Sequence, residues 1–169
     1  MACSRDFGAF RITRSRRPFQ PDIAAALELA CDVMQAELPA QAIAAGLYDI
    51  NVDQIRVVTA RGMEQDLLRG TVMSRACCFG GVGADGPFIA SGSAGGADWL
   101  GSGEQGAEVL LCPIAIDTHL LGVLAIAEPL CAATFDEHDI ELATYVAGQL
   151  AGFIQTQRQR PSLPAPQYR

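Results

Sequence analysis

Two adjacent cysteines, Cys77 and Cys78, are the residues of this sequence with the clearest capacity for chemistry. A thiolate in an exposed position reacts with oxidants, so the pair could form a thiol-based redox site. Neighbouring helical residues point in different directions, however, and free cysteine is among the residue types most often buried. Core packing is therefore the favoured interpretation of one or both thiols, and redox sensing is the alternative.

Other catalytic constellations find little support in the sequence. The six cysteines show no CxxC spacing and have no histidine nearby, which argues against a zinc site or a redox disulfide. We expect His119 in a hairpin turn and His138 in the first turn of the last helix, both exposed, which gives no support for haem ligation. Ser91 and Ser93 lie in glycine-rich sequence without a nucleophile elbow. The chain contains no lysine, which excludes Schiff-base and P-loop lysine chemistry. We therefore predict that the chain is not an enzyme and holds no metal.

Charge divides the 169 residues into three regions. Residues 1–17 carry five arginines against one aspartate, residues 158–169 carry three arginines, and the stretch between them carries four arginines against 18 acidic residues. An acidic body repels phosphate backbones, so nucleic-acid binding through it is disfavoured. We predict a basic N-terminal arm at 1–20, one domain at 21–157 and a flexible C-terminal tail at 158–169. Residues 1–20 contain no apolar leader, which favours a cytoplasmic location.

Apolar periodicity predicts the elements that must position these residues. The run from 109 to 127 is broken by Pro113, Asp117 and His119, which argues for a buried hairpin and against a membrane span. After Phe135, apolar residues recur at intervals of three and four, which predicts a helix. The predicted class is α+β, with an antiparallel sheet of five or six strands and the terminal helices packed on one face. The predicted elements in order are a helix at 22–38, strands at 42–50 and 54–60, a helix at 65–79 interrupted by Gly70 and Thr71, a strand at 88–90, strands at 109–116 and 120–127, and a closing helix from 135 to 154.

The segment from Leu110 to Ile154 resembles the C-terminal half of a GAF domain. The matching features are a Cys112-Pro113-Ile114 strand, a Leu-Gly-Val-Leu run at 121–124, and Phe135 followed four residues later by Asp139. The resemblance covers about residues 22–157 and implies a GAF/PAS-like sheet. GAF domains are sensory and regulatory modules that bind cyclic nucleotides, tetrapyrroles, haem or metabolites, or that dimerise and transmit a signal.

The resemblance also implies where a ligand would lie, between the sheet and the segment that joins the two hairpins. The Asn-Lys pair of cyclic-nucleotide-binding members is replaced by Ala127-Glu128, so a cyclic nucleotide is disfavoured and the ligand is unknown. The cysteines that free methionine sulfoxide reductases carry around their glycine-rich loop are absent at the corresponding positions. The residues expected at the pocket are Cys77, Cys78, Phe79, Phe88, Ile89, Trp99, Leu100 and Glu108.

Two helices carry more apolar surface than one contact face requires. In the first, Leu29 and Val33 form a second stripe, and in the last, Gly148 and Gly152 allow close approach of another helix. This pattern predicts either a homodimer or packing of the two helices within one subunit. The leading hypothesis is a dimeric sensory module of signal transduction that binds a small ligand or a signalling partner, and the alternatives are a ligand-free scaffold for protein partners and a redox sensor. The predicted dimer-helix residues are Ile23, Leu27, Met34, Val146, Leu150 and Phe153.

Overall fold

The structure, a computed structural model, describes residues 21–62, 65–91, 108–129 and 134–160. Within these ranges the side chains of Cys77, Cys78, Ser91 and Pro129 are outside the description. Four helices and six strands follow one another along the described chain. They are α1 (Pro21–Glu37), β1 (Ala40–Asp49), β2 (Gln54–Gly62), α2 (Gln65–Leu68), β3 (Val72–Ser74), α3 (Arg75–Cys78), β4 (Phe88–Ser91), β5 (Glu108–Ile116), β6 (His119–Pro129) and α4 (Glu137–Gln159).

The six strands form one antiparallel sheet in the order β3-β2-β1-β6-β5-β4. The predicted hairpins are its two halves, β1 with β2 and β5 with β6, and they meet where Ile43 of β1 pairs with Ile126 of β6. The two edge strands, β3 and β4, come from the segment between the hairpins. The sheet therefore confirms the predicted α+β class. The pairing of β1 with β6 joins its two halves.

Each face of the sheet carries its own apolar core. On the first face α1 and α4 pack against each other and against alternate residues of the central strands, such as Ile43, Leu124 and Ile126. On the second face the intervening residues of the same strands, such as Ala44 and Ala125, pack with side chains from residues 65–82. This division follows from the alternation of side chains along a strand. The terminal helices accordingly share one face, as predicted.

Local chemistry explains how α4 begins. Asp136 is the N-cap residue, and its Oδ1 accepts a hydrogen bond from the amide of Asp139 at 2.9 Å. The amide of Asp136 donates in return to Oδ2 of Asp139 at 3.0 Å, which completes a capping box. Phe135, directly before the cap, is buried in the first-face core. The helix continues to Gln159, two residues into the stretch predicted as tail.

The helix predicted at 65–79 is wrong in its middle, where the structure has a strand. The amide of Gly70 donates to the carbonyl of Val57 at 2.8 Å, and the amide of Val57 donates to the carbonyl of Thr71 at 2.9 Å. Gly70 has φ +80°, a conformation that glycine adopts without strain. Helix α2 therefore ends early, and the chain joins the free edge of β2 as β3.

None of the helices in the described ranges is long and apolar enough to cross a membrane. The most apolar run, residues 109–127, is the β5–β6 hairpin, with Asp117 in its turn at φ +52°. Most residues of this hairpin from Val109 to Ala127 are buried in the two cores, which accounts for its composition.

Candidate functional site

The second face of the sheet has a floor of small side chains. Six alanines from β1, β2, β4 and β6 belong to its buried cluster, together with valines and leucines of the central strands. Alanine leaves most of the space above its Cβ to be filled by another element, because buried space without partner atoms loses packing energy. The alanines of the floor are Ala42, Ala44, Ala60, Ala90, Ala125 and Ala127.

Residues 65–82, which we call the covering segment, fill the space above this floor. Leu68, Met73, Phe79 and Val82 belong to the same buried cluster as the alanines. Phe79 is the largest of the fully buried side chains of the structure by volume, with 1% of its surface exposed. A large aromatic ring from a connecting segment therefore belongs to the same apolar core as the alanine floor.

The structure brings together only part of the predicted pocket. Phe79 and Phe88 both pack on the second face, Phe88 being half-buried. Ile89 is 36% exposed. Glu108 lies two residues before Leu110 on β5 and therefore on the same side of the strand, and Leu110 belongs to the first-face core. The Oε2 of Glu108 is buried without a hydrogen-bond partner among the described residues. Cys77 and Cys78 are the last two residues of α3, and Trp99 and Leu100 lie outside the described residues.

Arg75 connects the covering segment to the β1–β2 turn. Its Nε donates to Oδ1 of Asp53 at 2.6 Å, and its Nη2 lies 3.4 Å from Oδ2 of the same carboxylate. Its Nη1 donates to the carbonyls of Gly81 at 2.7 Å and Val82 at 3.0 Å. The hydroxyl of Tyr48 donates to Oδ1 of Asp53 at 2.9 Å, and the guanidinium lies 5.9 Å from the centroid of the Tyr48 ring. The Arg75 side chain thus bonds the β1–β2 turn on one side and the carbonyls of Gly81 and Val82 on the other.

Both arginines of the covering segment are paired with carboxylates. Hydrogen bonds from Arg75 and Tyr48 lower the pKa of Asp53, and the hydrogen bond to Asp53 raises the pKa of Tyr48. Arg69, the other arginine of the covering segment, pairs with Glu28 of α1. An anionic ligand would have to displace a carboxylate from either guanidinium, and a neutral ligand would not.

The two thiols whose side chains are described are buried. Cys31 lies in α1 and Cys112 in β5, and burial raises the pKa of each to about 12. Both side chains pack in the first-face core. A cleft of about 190 Å³ lies beside Cys112, between β5, α4 and residues 84–87. Across the described ranges no group of acidic, histidine or cysteine residues is arranged to hold a metal ion.

The predicted dimer-helix residues divide into two groups. Ile23, Leu27, Met34 and Leu150 are buried in the first-face core, so they cannot offer a surface to a second subunit. Val146 is half-buried against the same core, and Phe153 is 37% exposed.

The apolar side chains that α1 and α4 do expose form a different set. On α1 they are Leu29, 64% exposed, and Val33, 42% exposed. On α4 Tyr145, 66% exposed, accompanies Phe153. Sequence reasoning did not single out Tyr145, although its three- and seven-residue spacing to Gly148 and Gly152 placed it on their side of the helix. It did not single out Arg75 and Asp53 either, since no local pattern links residues 22 positions apart.

A model of the GAF domain family matches residues 22–156, which include both hairpins, the covering segment, and the terminal helices except the first residue of α1 and the last three of α4. The chain belongs to the GAF domain family. The match confirms the resemblance seen in the sequence. No protein with a curated description matches the chain in sequence.

Solved GAF structures share the fold at low sequence identity. The GAF domain/HD domain protein from Geobacter sulfurreducens aligns with a TM-score of 0.69 and 11% identity, over 82% of this chain and 95% of that one. A methyl-accepting chemotaxis protein, residues 122 to 287, aligns with a TM-score of 0.68 and 15% identity, over 84% and 94%. The free methionine-R-sulfoxide reductase from Neisseria meningitidis, solved with its substrate, aligns with a TM-score of 0.60 and 21% identity, over 83% and 82%. These similarities establish the fold.

The residues that resemble the family in sequence have folding roles in this GAF domain. Phe135 is buried at the start of α4, and Asp139 completes the capping box with Asp136. Gly122 allows β6 to approach Gly46 of β1.

Proposed function

We propose that this GAF domain is a sensory or regulatory module of signal transduction, that it binds a small molecule on the second face of its sheet, and that it works as a homodimer. The observation that carries the proposal is the alanine floor covered by a connecting segment. The small side chains of this floor leave volume above the sheet that a ligand would occupy when the covering segment moves. Displacement of the segment by a ligand would provide a signal.

The ligand proposal has a direct test in native mass spectrometry of freshly purified full-length protein. We expect a mass above that of the chain, which disappears when the protein is denatured. Identical masses under native and denaturing conditions, from several expression hosts, would favour the alternative of a GAF scaffold that binds partner proteins without a ligand.

The dimer proposal rests on apolar side chains that the subunit leaves in solvent. Leu29 and Val33 follow Glu28 and Asp32, whose ion pairs with Arg69 and Arg61 hold α1 to the rest of the fold. Exposed leucine and valine on a helix so anchored are suited to contact a second helix. Tyr145 and Phe153 provide an equivalent surface on α4.

Sedimentation velocity at tens of micromolar tests the dimer. We expect wild type to sediment as a dimer and Leu29→Arg or Phe153→Arg as a monomer. Leu67→Arg is the matched control, because Leu67 is 68% exposed and lies on α2 and not on either terminal helix. A wild-type monomer at this concentration, or equal dissociation by all three variants, would contradict the proposed interface.

A further inference from the structure

We infer that Phe79 is a plug held in place by an Asp53–Arg75 latch, and that an uncharged aromatic or aliphatic molecule takes the place of the Phe79 ring when the latch opens. The inference rests on the proposed function, because it names the ligand class for the second face. It adds a closed state in which the protein's own side chain occupies the site.

The position of Phe79 supports its role as a plug. It belongs to the same buried cluster as the alanines of β1 and β6, and the members of that cluster are apolar. Phe79 is not part of the sheet, since it lies between α3 and β4. An apolar space of phenyl size stays dry when emptied and binds molecules such as benzene. The space that Phe79 would vacate therefore selects a small apolar ligand.

The backbone around Phe79 is built to move as a unit. The amides of Phe79 and Gly81 donate to the carbonyl of Arg75, both at 3.1 Å, and the amide of Val82 donates to the carbonyl of Phe79 at 3.0 Å. These bonds all close within residues 75–82, so displacement of the unit does not break them. Gly80 and Gly81, with φ +59° and +71°, and Gly86, with φ +143°, supply the permissive backbone before β4 begins.

Arg75 connects residues 75–82 to the β1–β2 turn. Its guanidinium bonds Asp53 on one side and the carbonyls of Gly81 and Val82 on the other, and its amide donates to the carbonyl of Asp53 at 3.2 Å. Upstream, β3 stays attached through its pairing with β2. Without the Asp53 carboxylate the unit keeps the backbone hydrogen bond from the amide of Arg75 to the carbonyl of Asp53, so residues 75–82 open more often while both flanking strands remain in the sheet.

Hydrogen exchange tests the latch without any ligand. Asp53→Asn is the chosen variant, because Asp53 has φ +51° and asparagine tolerates that conformation. We expect the amide of Arg75, whose bond to the carbonyl of Asp53 breaks when the unit opens, to exchange about tenfold faster than in wild type, the effect of replacing a charge-assisted hydrogen bond by a neutral one. Asp32→Asn is the matched control, because it removes another aspartate–arginine contact of 2.6 Å that lies outside this unit.

Exchange of the Arg75 amide that is unchanged in Asp53→Asn, or equally faster in Asp32→Asn, would overturn the latch. If Asp53→Asn fails to fold, Arg75→Lys provides the second variant, since lysine keeps the charge but cannot bond the carboxylate and two carbonyls at once. It should raise the same exchange rate, and a normal rate in that variant would also overturn the latch.

Indole binding, followed by NMR titration of the full-length protein, tests the plug. Apparent affinity scales with the populated open fraction, so Asp53→Asn should bind indole tighter than wild type by the same factor as its exchange is faster. In Phe79→Ala the site is already empty, so we expect tighter binding than in wild type and no further gain from adding Asp53→Asn. An affinity of Phe79→Ala equal to wild type would overturn the plug, as would an undiminished gain from Asp53→Asn in the Phe79→Ala background.

Failure of this inference is distinguishable from failure of the proposed function. A retained molecule in native mass spectrometry with normal exchange in Asp53→Asn supports a sensory site and rejects the latch. Faster exchange and tighter indole binding in Asp53→Asn, with no retained molecule from any host, support the latch and plug and reject a resident physiological ligand.

Discussion

Gly122 of β6 lies against the carbonyl oxygen of Gly46 in β1, and a Cβ at position 122 would be 2.2 Å from that oxygen. The contact lies between the two central strands, where Gly122 pairs with Leu47. Neither backbone can retreat without disturbing the pairing of the two hairpins. The close approach of β1 and β6 therefore requires glycine at position 122.

Gly122→Ala should destabilise the protein by about 3 kcal/mol, because the added methyl group must move a central strand. Urea unfolding followed by circular dichroism measures the change. Gly148→Ala and Gly152→Ala are the controls, since a Cβ at either position meets nothing within 4 Å. Alanine in the middle of α4 should stabilise by about 0.5–1 kcal/mol. Equal effects at positions 122 and 148 would contradict the close approach.

The capping box of α4 gives a second prediction. Asp136→Ala should lower the free energy of unfolding by about 1 kcal/mol, because it removes the acceptor for the amide of Asp139. Asp136→Asn preserves an acceptor oxygen and should lose much less. Denaturant titration of the two variants in parallel checks the difference, and a larger loss in the asparagine variant would show that the hydrogen bond is not the source of the effect.

The two aspartates paired with arginine predict how stability depends on pH. Hydrogen bonds from Arg61 and Arg75 lower the pKa of Asp32 and Asp53 in the folded protein. The stabilisation of the folded state by these two ionised aspartates is complete above their unfolded-state pKa, about 3.9. It is lost as the pH falls through the lower folded-state pKa. The difference in unfolding free energy between wild type and Asp53→Asn should accordingly shrink between pH 6 and pH 3. A difference that grows towards acid pH would contradict a lowered pKa of Asp53 in the folded protein.

Thiol reactivity separates the buried cysteines from the redox alternative. Burial raises the pKa of Cys31 and Cys112 to about 12, so neither should be alkylated by iodoacetamide at pH 8 in the folded protein. Both should react after unfolding in urea, which is the control. Peptide mapping after peroxide treatment then tests Cys77 and Cys78, and their survival unmodified at physiological pH would reject redox sensing through this pair.

The sheet and its helices were largely predictable because their signals are local. Each hairpin shows as two apolar runs separated by turn residues, and the start of α4 shows as an aspartate pair three residues apart. The strand β3 was not predictable in the same way. Its three residues are too few for a period, and they become a strand because the backbone of Gly70 and Thr71 bonds Val57 of β2.

The surface of α1 shows the same limit. Ile23, Leu27 and Met34 form one apolar stripe and Leu29 with Val33 forms another, so periodicity alone allowed either to face the sheet. The structure buries the first stripe and exposes the second. The choice depends on how α1 sits over β1 and β2, which the helix sequence does not contain.

The sequence by itself determined the family, the order of most elements and the buried character of the β5–β6 hairpin, since each depends on residues close together along the chain. Only the tertiary structure decided which alanines form one floor, that Phe79 joins them in one buried cluster, and that Asp53 pairs with Arg75. Those relationships join strands and turns distant in sequence, and their energy arises from packing and hydrogen bonding across that distance.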